Sequence, residues 1–250
     1  MLFFSYVAQA REQRDSPVLP VDTVAPGNPA HGIISRFHLV YINMTNISIR
    51  VLLALVLLFS LAAPLQAGTP FSKLREGDII FQVTRTSQGR AVQLATGSRW
   101  THVGIIFKHR GRLKVFEAVQ PVKVTSLRSF IRRGHRRHYV VKRLKDAEQL
   151  LTPAVLKKMR RLGRGFLGKN YDYTFQWSDR RIYCSELVWK LYQRAAGITL
   201  AKPRAAGTFQ LSHPHVQRKI KERYGGRFNP AEPVVSPGQL FDSPRLTLVR

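Results

Sequence analysis

The sequence predicts an α+β domain, and three observations carry that prediction. Apolar, β-branched runs cluster between residues 78 and 144. The strongest amphipathic helical patterns follow residue 150, and no internal repeat or alternating strand–helix rhythm joins the two regions. At 250 residues, 44% of them hydrophobic, the chain can build one domain with a sizeable core.

The elements follow in order. Residues 78–83 (DIIFQV), just past Arg75-Glu76-Gly77, predict a strand. Residues 88–95 have helical spacing at Ala91, Val92 and Ala95. Residues 103–107 form an apolar run typical of a buried strand; His109-Arg110-Gly111 marks a turn and residues 113–119 a second strand, which Pro121 ends. A short basic helix over 126–133 and a strand over 139–144 come next. Thr152 and Pro153 are a hydroxyl cap and a first-turn proline, and they open a helix whose inward face is Val155, Leu156, Met159, Leu162 and Phe166. Residues 183–196 predict a second amphipathic helix with Leu187, Val188, Leu191 and Ala195 inward, stopped by Gly197. Beyond Lys202 the chain reads as Pro-rich and irregular, apart from a short helix over 216–223.

Residues 51–63 (VLLALVLLFSLAA) carry no charge, but thirteen residues fall short of the roughly 20 a membrane-spanning helix needs. With Arg50 before the run and a small-residue exit ending in Ala67, residues 44–67 read as a signal peptide cleaved after Ala67. Residues 1–43 then read as upstream sequence ahead of the true start at Met44, and residues 68–250 as the exported domain. Forty-one Lys and Arg against fourteen Asp and Glu give a net charge of +27, almost all of it after Ala67. A single cysteine, Cys184, excludes an intramolecular disulfide framework and a zinc site built on several thiolates.

Cys184 opens the predicted 183–196 helix. Unpaired N–H groups and the helix dipole favour negative charge there, so a thiol in that place ionises easily. Glu186, two residues on, opposes a thiolate unless it points aside. Of the eight histidines, His31 and His38 precede the signal. His109, His135 and His138 lie in a turn and an Arg-rich stretch, and His213-Pro214-His215 lacks a nearby carboxylate. His102 instead opens a buried strand. If His109-Arg110 forms a two-residue hairpin loop, His102 stands directly opposite Glu117, close enough for the carboxylate to accept one ring N–H. That is the base-and-orienter arrangement a cysteine nucleophile needs. The Cys184 backbone N–H is a natural oxyanion donor. Tyr171 and Tyr183 are candidates for a side-chain donor or a substrate wall, or else core aromatics with tethered hydroxyls.

Gly77-Asp78-Ile79-Ile80-Phe81-Gln82, Thr101-His102-Val103-Gly104, Phe116-Glu117-Ala118, Gly168-Lys169-Asn170-Tyr171-Asp172 and Tyr183-Cys184-Ser185-Glu186-Leu187 occur in that order. Lys221-Glu222-Arg223-Tyr224-Gly225, Val234-Val235-Ser236-Pro237 and Phe241-Asp242 continue the series. Across residues 68–250 the chain resembles the permuted papain-like cysteine hydrolases of the NlpC superfamily, in particular the exported YiiX group. The resemblance implies a circularly permuted papain-like fold, a small antiparallel sheet packed with a nucleophile-bearing helix. It implies Cys184 as nucleophile, His102 as base and Glu117 as the orienting third residue, with no metal or organic cofactor. It also implies an amide or ester substrate, in cell-wall peptides or in N-acyl and lipid compounds, met in the periplasm of a Gram-negative bacterium.

An acyltransferase could use the same three residues. A noncatalytic module for anionic envelope polymers is a third reading, resting on Arg132, Arg133, Arg136 and Arg137 and on Lys157, Lys158, Arg160 and Arg161. Nucleic acid ranks last as a partner, because the basic residues match no recognition motif and interleave with no aromatic stripe.

Overall fold

The computed structural model describes residues 71–249. The reading of residues 1–67 as extension and signal lies outside them. The chain runs β1 (Ile79–Gln82), α1 (Ser87–Thr96), β2 (His102–His109), β3 (Arg112–Glu117), β4 (Lys123–Ser126), α2 (Leu127–Arg133), β5 (Tyr139–Leu144), α3 (Ala147–Leu150) and α4 (Pro153–Arg164). It continues with α5 (Cys184–Ala196), β6 (Arg204–Ala205), α6 (Pro214–Tyr224), β7 (Pro233–Val234), α7 (Pro237–Phe241) and β8 (Leu246–Leu248). Six strands form one antiparallel sheet in the order β4-β3-β2-β1-β5-β8, and β6 pairs with β7 separately.

Both faces of the main sheet are covered, which is why β2 reads as an unbroken apolar run and is buried over its first six residues. Ile79, Phe81, Val103 and Ile105 pack with Met159 of α4 and with Leu187 and Leu191 of α5. Ile80, Ile106 and Val115 point the other way, onto Leu127 and Phe130 of α2. Burying one such aliphatic side chain is worth about 1.5–3 kcal/mol, so α5 is held chiefly by its Leu187, Val188 and Leu191 stripe. The predicted caps are in place: Thr152 accepts from the Val155 N–H at 3.3 Å, and Gly197 closes α5 in the left-handed conformation at φ 69°.

Two parts of the sequence expectation need correction. The β2–β3 loop is Arg110-Gly111, since His109 pairs with Arg112. Both loop residues have positive φ, 50° and 74°, as a two-residue loop matching the twist of its strands requires, and glycine fits the second position. This moves the register by two residues, placing Gly104 rather than His102 across from Glu117. The C-terminal region is also less irregular than expected. β8 pairs with β5 at the sheet edge, with Lys142 across from Leu248 and Leu144 across from Leu246. Three residues are too few to show a period, and β4 escaped notice for the same reason.

Candidate active site

Antiparallel pairing brings the last residue of β1, the first of β2 and the last of β3 to one end of the sheet. Gln82, His102 and Glu117 therefore gather there, all buried. The register shift of two preserves strand parity, so His102 and Glu117 still share a face. They meet on the diagonal, with His102 Nε2 2.7 Å from Glu117 Oε2. Gly104 makes room for this reach. A Cβ there would sit 3.5 Å from the Glu117 Cβ and 2.4 Å from Val115 Cγ1.

Cys184 is the first residue of α5, 4% exposed, and its sulfur lies against the His102 ring, the Val103 backbone N–H and the Tyr171 hydroxyl. With Nε2 held by Glu117, Nδ1 is the nitrogen left for the thiol. Burial alone would favour the neutral thiol, but the bonds from His102, Val103 and Tyr171 overcome it and lower the Cys184 pKa. For His102, burial alone would depress the pKa, yet bonds to Cys184 and Glu117 raise it to about 9. Thiolate and imidazolium thus stabilise each other. Glu117 resists its burial through His102, Thr125 and Arg133 and is lowered to about 2, so it is a carboxylate at neutral pH.

Arg133, at the end of α2, closes the chain of contacts. Its Nη2 donates to both Glu117 oxygens, at 2.5 and 2.6 Å, and its guanidinium lies 5.7 Å from the Phe130 ring, which stacks on His102 at 5.5 Å. The sequence assigns Arg133 to a basic patch for anionic envelope polymers and does not show this role. Nothing in Arg132-Arg133-Gly134 marks which arginine turns inward. Arg160, of the second patch, is likewise engaged, donating to Glu76 at 2.6 Å, whereas Arg132, Arg136, Arg137, Lys157, Lys158 and Arg161 are exposed. His135, in the same Arg-rich stretch, is half-buried with its Nε2 shielded.

The two tyrosines separate. The segment before Tyr171 runs beside Ile182, with Ile182 N donating to Asn170 O and Asp172 N to Ile182 O, both at 3.2 Å, which fixes Tyr171 next to Cys184. Burial and the nearby sulfur raise its pKa well above the ordinary value, so its hydroxyl keeps its proton. Tyr183 is instead a core residue, 1% exposed, whose hydroxyl oxygen accepts from Val235 N at 3.2 Å. Its side chain does not line the groove described below.

Glu186 does point aside. It lies 2.6 Å from Lys190 Nζ, itself bonded to Ser178 O and Asp179 Oδ1 at 2.8 Å. Burial still raises the Glu186 pKa to about 7, with Lys190 working against that rise.

Over the sulfur runs a groove of about 810 Å³, its open mouth included. Its walls are mainly apolar: Ala91 and Val92 of α1, Phe175, Phe209, and Val216 and Ile220 of α6. Phe175 is held at φ 49°, where the Asp172 carboxylate accepts from Thr174 N at 2.9 Å and Gln176 N at 2.8 Å on either side of it. Such a backbone costs about 1–3 kcal/mol and places the ring at once in the groove and 5.1 Å from Tyr183.

Known proteins resemble this chain over most of its described residues. The family described as permuted papain-like amidase enzyme, YaeF/YiiX, C92 family, matches residues 73–250. The uncharacterized protein YiiX of Escherichia coli K12 is 43% identical over 195 residues, covering 78% of this chain and 93% of that protein. A crystal structure of YiiX from Escherichia coli O157:H7, described as a metalloprotein, superposes with a TM-score of 0.66 at 44% identity, covering 71% of this chain and 97% of that one.

Proposed function

Because the chain belongs to the C92 family of permuted papain-like amidases, we propose that it is a cysteine hydrolase that cleaves an amide or ester bond next to an apolar acyl chain. One observation supports the acyl preference above the others: Cys184, paired with His102, opens onto a groove walled by aliphatic and aromatic side chains.

The steps follow from the groups present. The Cys184 thiolate attacks the carbonyl carbon, forming a C–S bond. The resulting oxyanion faces the Cys184 backbone N–H at the start of α5 and the protonated Tyr171 hydroxyl. As the C–N or C–O bond breaks, the leaving group takes the proton held at His102 Nδ1. The neutral imidazole then removes a proton from water, whose hydroxide attacks the thioester, and the released acid restores the thiolate–imidazolium pair. Glu117 and Arg133 act as positioning residues for the ring.

The YiiX relative is described as a metalloprotein, but the described residues here do not make a metal site. Among the described residues no three His, Cys, Asp or Glu side chains converge on one point, and Glu117 is already engaged by His102 and Arg133. Export through residues 44–67 and contact with anionic envelope surfaces through the exposed Arg132, Arg136 and Arg137 remain part of the proposal.

Mass-spectrometric assay of the purified chain with N-dodecanoyl amides, dodecanoyl esters and short cell-wall peptides tests it. The expected result is release of dodecanoate, lost in Cys184→Ala. Cleavage confined to the peptides sinks the acyl reading, and turnover surviving in Cys184→Ala sinks the mechanism.

A further inference from the structure

We infer that the groove takes an acyl substrate carrying an anionic group, carboxylate or phosphate, that rests against Arg223; this builds on the acyl-hydrolase reading. The groove lining contains two charged residues, Lys219 and Arg223, both cationic and both on α6. Lys219 is already paired, its Nζ 2.5 Å from Glu222 Oε2. Arg223 has no carboxylate partner among the described residues. Its Nη1 makes a long bond of 3.3 Å to Tyr173 O, and its guanidinium lies 5.2 Å from the Tyr173 ring.

Tyr173 in turn lies 4.8 Å from Tyr171, ring to ring, and Tyr171 lines the groove together with Cys184. Two neighbouring rings, tilted 57° to each other, therefore lie between the guanidinium and the nucleophile. The charge is close enough to bear on the Tyr171 hydroxyl. A half-buried arginine against an apolar wall keeps free N–H donors in a fork that fits two oxygens of a carboxylate or phosphate. An acyl chain along the aliphatic wall, with the scissile carbonyl at Cys184, leaves the anionic group of an N-acyl amino acid or of a phospho-headgroup facing Arg223.

The test is calorimetric binding to the full-length Cys184→Ala chain of three ligands: N-dodecanoylglycine, its neutral methylamide, and the phosphate monoester of N-dodecanoylethanolamine. At least one anionic ligand should bind about tenfold or more tightly than the methylamide, the scale of a charge-assisted hydrogen bond. The stronger of the two identifies carboxylate or phosphate as the natural group. Arg223→Gln should abolish the preference while methylamide affinity stays unchanged, and Arg223→Lys should keep part of it. Equal binding of all three, no binding at all, or a preference surviving Arg223→Gln overturns the inference. Turnover of the same ligands by the unmodified chain is followed separately. Tight anionic binding without dodecanoate release overturns the hydrolase reading alone, and turnover without charge preference overturns only the role of Arg223.

Discussion

Glu117 faces Gly104 across the β2–β3 pairing and reaches His102 along the diagonal, closing on its Nε2 at 2.7 Å. A glycine is required at the position between them. Gly104→Ala would place a methyl 2.4 Å from Val115 Cγ1 and 3.2 Å from Phe116 O. Overpacking of this kind costs about 1–3 kcal/mol, so thermal unfolding should shift down by several degrees. The same variant should slow iodoacetamide labelling of Cys184, because the displaced β3 carries Glu117 with it. A lowered melting temperature with unchanged labelling would show that β3 moves without loosening the ring.

His102→Ala removes the group that most favours the thiolate. Alkylation of Cys184 at pH 7 should slow by about tenfold or more, and its pH midpoint should move upward. Equal labelling of the variant and the unmodified chain would remove His102 from the mechanism.

The pH profile of turnover follows from the direction of each shift. Cys184 is lowered and His102 raised to about 9, so the thiolate–imidazolium pair spans neutral pH. Above about 9 the ring loses the proton that the leaving group needs. Turnover should therefore fall on that alkaline side while Cys184 alkylation does not. A loss of both together would point to unfolding instead.

Glu117 is lowered from 4.5 to about 2, so between those values the folded chain holds fewer protons than the unfolded one. Its contribution to stability is present above 4.5 and is lost as pH falls through 2, and it amounts to about 3 kcal/mol by linkage. Urea unfolding of Glu117→Gln should show a loss of that order at pH 7 and a flatter dependence in acid. The same slope in both proteins would contradict the assignment.

Lys190, 1% exposed, neutralises the buried Glu186. Lys190→Met removes the partner that holds the Glu186 pKa down, so the carboxyl should take up a proton at pH 7 and the variant should lose about 1–3 kcal/mol, with part of the loss recovered by adding Glu186→Gln. Thermal unfolding of the single and double variants decides this. Additive losses would mean the two groups do not depend on each other.

Much of the site was legible because its signals are local or depend only on parity. Cys184 stood alone at a helix start, and an error of two residues in the hairpin register left His102 and Glu117 on one face, since side chains alternate with a period of two. Arg133 was illegible because both arginines of its pair end the same helix, and only the position of Phe130 and Glu117 decides which turns in. The groove was hidden for another reason. Its wall joins α1, the 171–175 loop and α6, which lie far apart in sequence, and Ala91, Val92 and Ala95 read as ordinary core until α6 is placed opposite them.

That separation has an evolutionary meaning. In the proposed mechanism the reacting groups His102 and Cys184 stand on β2 and α5 and their positioning carboxylate on β3, whereas Val216, Ile220 and Arg223 stand on α6, a helix outside the main sheet. On that proposal, substitutions along α6 retune which molecule is accepted while the proton chemistry stays intact. In this architecture, selectivity and reactivity are free to diverge at different rates.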